Sequence, residues 1–150
     1  MKKARIVIIL TTIALILFFT DQSIGQDLIM QYNEDLDRYE FCDELGNVEM
    51  YAEKNENLDQ MEFFDEYGNI ISVVDHEDLQ ISDPDGNPQG FIEENESLDQ
   101  TEFKDDYGNV VFTRSWNEDL QRYDVSDSDG NIKGYYQYNE NLDQYDYFED

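Results

Sequence analysis

From residue 33 onward, apolar residues fall two apart with an acid between them. Tyr39 and Phe41 flank Glu40, Met61 and Phe63 flank Glu62, and Thr101 and Phe103 flank Glu102. Tyr123 and Val125 flank Asp124, and Tyr145 and Tyr147 flank Asp146. A period of two predicts a β-strand with one packed face and one wet face. A second apolar run follows each pair: Val48, Met50 and Ala52, then 70–74, then Val110 and Phe112, then 132–138. Between the two runs stands Asp-x-x-Gly, at Asp43 and Gly46, Asp65 and Gly68, Asp83 and Gly86, Asp105 and Gly108, and Asp127 and Gly130. A type I turn favours Asp first, where its carboxylate accepts from nearby backbone N–H groups, and Gly last. Such a turn with a left-handed glycine is a common hairpin connection. Pro84 suits the second position because its φ is already fixed near the required value.

The hairpins are joined by a second phrase, Asn-Glu-x-Leu. Its leucines are Leu36, Leu58, Leu79, Leu98, Leu120 and Leu142, spaced 22, 21, 19, 22 and 22 residues apart. Asn is expected to supply a left-handed residue at this corner. His76 stands where the other units have Asn, and the same turn role is expected of it. Gly86 follows Leu79 after seven residues instead of ten, so the third unit is three residues short. The pattern predicts an all-β antiparallel meander of about six 22-residue hairpin repeats, with about eleven strands. A propeller blade needs about 40 residues, too many for a ring to close here. An elongated twisted or partly rolled sheet is expected, its last strand an edge at 145–148.

The N-terminus follows a different pattern. Lys2, Lys3 and Arg5 precede an apolar stretch, 6–19, interrupted only by Thr11 and Thr12. It falls short of the roughly 18–20 residues that span a bilayer. Ser23 and Gly25 place small residues at −3 and −1 of a cleavage point. This is the three-part order of a signal peptide, with a retained anchor as the alternative. The expected organisation is a signal peptide at 1–25, a lead-in at 26–32 and the repeat domain at 33–150. An exported location follows: periplasmic, cell-surface or extracellular in a bacterium.

Charge narrows the partners. The 150 residues hold 37 Asp and Glu against 9 Lys and Arg, a net charge of −28. Such a surface repels nucleic acid and anionic membranes. Tyr and Phe number 11 and 9, which argues against a disordered acidic chain. Cys42 is the only cysteine and His76 the only histidine, so a structural zinc site lacks ligands. An intrachain disulfide is excluded, and an intermolecular one through Cys42 stays open.

The alternation of a Tyr-x-x-Asp-x-x-Gly-Asn turn with an Asn-x-x-Leu-Asp turn resembles the MORN-type repeat in its variant bacterial form. The stretch 139–147, Asn-Glu-Asn-Leu-Asp-Gln-Tyr-Asp-Tyr, carries this most fully. Phrases such as 64–70 also resemble the YD repeats of large bacterial surface toxins. Glu34, Glu56, Glu96, Glu118 and Glu140 stand where MORN-type units usually have glycine. The resemblance implies scaffolding or binding, and no catalytic residue comes with it.

Two groups of residues are candidate sites. Asp83, Asp85, Asp127 and Asp129 echo part of an EF-hand loop, which makes calcium the leading candidate ion, with magnesium as the alternative hard cation. The first and twelfth loop positions lack carboxylates, so any such binding would use the turn carboxylates alone. Trp116, Tyr135, Tyr136 and Tyr138 form an aromatic cluster suited to recognition. No nucleophile–base pattern stands out, so no enzyme is expected and no resident cofactor. Three readings follow. The first is an exported binding or scaffold module for a protein or cell-surface partner. The second is a protein whose acidic turns bind Ca2+. The third is an immunity-like protein for a basic toxin. The edge strand would also allow pairing with a second copy.

Overall fold

A computed structural model describes residues 29–141 and 144–149. The expected signal peptide lies outside these residues. The chain runs through β1 (Ile29–Asn33), β2 (Arg38–Cys42), β3 (Val48–Asn55), β4 (Gln60–Asp65), β5 (Ile70–Asp75) and β6 (Gln80–Ser82). It continues through β7 (Pro88–Asn95), β8 (Gln100–Asp105), β9 (Val110–Asn117), β10 (Arg122–Asp127), β11 (Ile132–Asn139) and β12 (Gln144–Glu149). Every described strand is antiparallel to its sequence neighbours, as the meander requires.

The sheet does not stay open. It closes into a twelve-strand barrel in which β12 pairs with β1, with Met30 opposite Tyr145 and Ile29 opposite Asp146. The expected strip or partly rolled sheet is therefore corrected to a barrel. The closing strand comes from the stretch expected to be only a lead-in. Its pattern is hard to see from sequence, because β1 is five residues long and no Asp-x-x-Gly phrase precedes it in the sequence. The strand expected to be an edge is flanked by β11 and β1, because closure is what removes exposed edges.

One end of the barrel is formed by the Asp-x-x-Gly-Asn turns. In each, the Gly N–H donates to the Asp carbonyl at 2.9–3.1 Å, and the Asp N–H donates to the Asn carbonyl at 2.9–3.0 Å. The Asp carboxylate accepts from the backbone of the third and fifth residues, as Asp65 does from Tyr67 and Asn69 at 2.9 and 2.8 Å. The five glycines have φ of 84–86°, a region L-residues rarely occupy. A register shift sits beside each turn, for example between Phe63 and Phe64. This is the bulge that restores alternation after a three-residue loop.

The Asn corners form the other end, and here the expectation needs correcting. The left-handed residues are Asp37, Asp59, Leu79, Asp99 and Gln121, each four residues after the corner's first residue. Asn instead fastens the corner. The Asn55 side-chain oxygen accepts from the Leu58 N–H at 3.2 Å, while its Nδ2 donates to Glu62 on the next strand at 2.8 Å. The same Asn-to-acid bond, seven residues apart, joins Asn33 to Glu40, Asn95 to Glu102, Asn117 to Asp124 and Asn139 to Asp146. It holds the acids between the apolar residues on the outer wall. Glu40, Glu102 and Asp124 are nevertheless buried, beneath Asn, Gln and Arg side chains. The Glu102 carboxyl sits below its ordinary value, chiefly through the Asn95 bond and then the Gln100 bond.

In the third corner Asp75, not His76, takes the Asn place. Its carboxylate accepts from Glu77 and Asp78 at 2.7 and 3.3 Å. His76 is one place further on, with Nδ1 3.5 Å from Asp59. The interval from Gly68 to Gly86 is 18 residues, against 22 between the other neighbouring turn glycines. Strand β5 is six residues where β3 and β7 are eight, and β6 is three where β4 and β8 are six. From the left-handed residue to the turn Asp, Leu79 to Asp83 spans two residues fewer than Asp59 to Asp65. Each arm thus loses two residues, an even number that keeps Val74 and Ile81 on the packed face.

The packed face points inward. Met30, Phe41, Met50, Ala52, Met61, Phe63, Val74, Ile81, Ile92 and Phe103 form one cluster, and Val125, Tyr136 and Tyr147 a second. Gly134 belongs to this inner row because the Tyr147 ring lies across it, where any Cβ would collide. The corner leucines, the most regular feature of the sequence, mostly do not join the core. Leu36, Leu58, Leu98 and Leu120 are 51–63 % exposed, whereas Leu79 packs on the core. Replacing Phe63, which is fully buried, by Ala should cost about 3–5 kcal/mol in urea unfolding. Leu58→Ala should stay within about 0.5 kcal/mol.

The turns also predict an acid limit. All five turn aspartates are held below the ordinary carboxylate value, Asp127 at about 2, chiefly by the amide of the following Asn and then by backbone N–H groups. A depressed folded value means that the unfolded chain binds the proton more readily. This stabilisation is complete above the unfolded value near 4 and disappears as the pH falls towards 2. The urea midpoint should therefore drop across that window, and Asp127→Asn should make the drop shallower.

Candidate binding site at the barrel mouth

The inner face changes character toward the Asn-corner end. Going up β9, the inward residues are Phe112, Arg114 and Trp116, and their partners on β10 are Asp127, Val125 and Tyr123. On β11 they continue as Tyr136 opposite Tyr123, with Tyr138 two residues above. Trp116, Tyr123, Tyr136 and Tyr138, with Gln121 from the corner loop, line a cavity of about 290 Å³ at this mouth. That is at the low end of the roughly 300–1,000 Å³ of small-molecule pockets.

The walls are fixed by ring contacts. Trp116 meets Tyr123 edge to face at 4.9 Å between centroids and an interplanar angle of 60°. Tyr136 rests on Tyr147 at 4.9 Å. Burial pushes the Tyr136 hydroxyl well above its ordinary value, so it stays neutral. One layer deeper, the Arg114 guanidinium lies 4.9 Å from the Tyr123 ring centre and donates to Thr101 at 2.8 Å. Thr101 in turn donates to Glu94, so a carboxylate stands behind the buried cation. Trp116 and Tyr138 are 42 % and 45 % exposed, which puts them at the opening.

Three of the four aromatic candidates are thus brought together. Tyr135 is not among them, because alternation turns it to the outer wall. There it stacks on Phe148 at 5.0 Å, with Arg122 3.9 Å from its ring centre. Tyr123 and Gln121 were missed. Tyr123 sits in the same packed row as Val125, and its strand pairing with both Trp116 and Tyr136 is what brings it into the site. Gln121 could not be found from sequence, since its place depends on its left-handed φ of 52°.

The rim around the mouth is acidic and apolar. Corner loops 34–37, 56–59, 76–79, 96–99 and 118–121 each carry at least two acids and no Lys or Arg. Next to these acids stand the exposed corner leucines. Tyr32 donates to Asp37 across the first corner, which raises its own hydroxyl to about 12.

The metal candidates lie at the opposite end. Both oxygens of Asp83 and Asp127 are engaged within their own turns, by Asn87 and by Asn131. Asp85 and Asp129 donate their backbone N–H groups to those same carboxylates. Among the described residues no three His, Cys, Asp or Glu side chains converge at a metal-ligating spacing. Cys42 is buried opposite Ile29 beside the closing seam, with Gln31 Nε2 at 3.4 Å. Burial pushes its thiol up, so both its reactivity and its access to a second chain are reduced.

No protein-family model matches the chain, and no curated protein matches it. Among solved structures it is similar to the X-ray structure of a protein from Arabidopsis thaliana. The TM-score is 0.63 at 10 % identity, over 83 % of this chain and 79 % of that one. At that identity the likeness is one of fold, a shared all-β architecture.

Proposed function

We propose that this chain is an exported, non-enzymatic binding module that engages a basic protein partner through the Asn-corner end of the barrel. The observation that supports the reading most directly is the corner rim. Exposed leucines alternate there with acids around an aromatic-lined mouth, and the loops described carry no Lys or Arg. Exposed apolar groups in one ring mark an interaction surface. The acids favour a partner of opposite sign and speed its approach. A chain at −28 disfavours an acidic one. Aromatic side chains at the centre of such a rim are the usual anchors of protein recognition.

The opposite rim supplies a control, because its turn tips also expose large apolar residues, Leu45, Tyr67 and Tyr107. Protein captured from the native culture medium by the wild-type chain should be lost with a Leu58→Ser, Leu120→Ser variant. Capture should persist with Tyr67→Ser, Tyr107→Ser, and should weaken severalfold as salt rises to about 0.5 M. The opposite result, loss only with the turn-tip variant, would place the surface at the other end.

A further inference from the structure

We infer that the aromatic cavity at the mouth holds an alkylated ammonium group, either free or at the end of a partner's side chain. This deepens the binding reading above and rests on it for the position of the site. Four aromatic rings from three adjacent strands surround the space, with two of them crossed edge to face. Aromatic side chains dominate the lining, and rings of this kind offer π-surfaces to a bound group. That arrangement suits a weakly hydrated cation, which is attracted to ring faces and loses little on leaving water.

The same barrel already uses its rings in this way. Arg38 lies 4.1 Å from the Tyr51 ring centre, Arg122 3.9 Å from Tyr135, Lys104 5.9 Å from Phe91 and Arg114 4.9 Å from Tyr123. The last of these packs a guanidinium against a ring of the cavity wall itself. An inorganic ion such as Ca2+ would need several oxygen ligands, and the lining offers only tyrosine hydroxyls and one amide. An anion would meet the acidic rim at every corner loop described. Size points the same way, because about 290 Å³ admits a compact head group but not an extended chain.

Trp116 is the only tryptophan in the chain, so its fluorescence reports on the cavity directly. Choline and tetramethylammonium should shift it saturably. The uncharged isostere 3,3-dimethylbutan-1-ol should bind at least tenfold more weakly. Tyr138→Ala should weaken choline at least tenfold, and Tyr138→Phe, which keeps the ring face, should stay close to wild type. A short peptide carrying trimethyl-lysine that binds at least tenfold tighter than choline would identify the source as a partner side chain. Equal affinity would identify a free small molecule. Equal binding of the uncharged isostere would overturn recognition of charge, and so would no fluorescence response to any ammonium probe. The capture experiment on the leucine rim reads the general binding surface separately, because none of its substitutions lies in the cavity.

Discussion

The structure depends on pairing every strand edge in a chain that carries strong self-repulsion. An open meander would leave a row of unpaired N–H and C=O groups on each outer strand. With a net charge of −28, further copies of the chain are poor partners for those edges. Closure of β12 onto β1 satisfies both edges within one molecule. It also brings the aromatic strands β9 to β11 round towards Tyr32 and Tyr39 on β1 and β2, whose rings lie 5.0 Å apart. The cavity at the mouth is itself lined from β9, β10, β11 and the loop between β9 and β10.

Closure requires that every strand present the same face inward, and the two kinds of bend secure this differently. At the turn end, the Asp carboxylate, the left-handed glycine and the adjoining bulge keep the alternation in phase. At the corner end, Asn ties the loop backbone to an acid on the following strand. That bond also explains how acids can sit between apolar residues on β2, β4, β8, β10 and β12 without stranding buried charge. Glu40 accepts from Asn33 and Arg38, and Asp124 from Asn117 and Arg122. The shortened third corner shows how far the scheme stretches. It loses two residues from each arm, and Asp75 replaces Asn while its carboxylate still caps the loop.

Much of the local structure was legible because it is written in short-range chemistry. Asp-x-x-Gly specified its turn, and the alternation around Glu62 or Glu102 specified strands and their packed faces. The global form was not, because closure depends on Ile29 and Met30 meeting Asp146 and Tyr145, a contact between the two ends of the described chain. The corner was misread for a local reason. Sequence spacing aligned leucines, so His76 fell on the Asn position, whereas the backbone aligns left-handed residues and puts Leu79 itself there. The aromatic site was visible in part. Trp116, Tyr136 and Tyr138 share the inner face, and Tyr135 is excluded by the same period of two that predicted the strands. Tyr123 and Gln121 enter only through cross-strand pairing and loop geometry.

The central claim is that the two ends of the sheet meet. Backbone nuclear Overhauser effects across β1 and β12 test it most directly, read from the protons of Met30 and Ile29 to those of Tyr145 and Asp146. A closed barrel predicts these cross-strand contacts alongside those of Met30 with Phe41 and of Tyr136 with Tyr147. A spectrum that contains the sequential hairpin contacts but none between residues 29–30 and 145–146 would contradict closure.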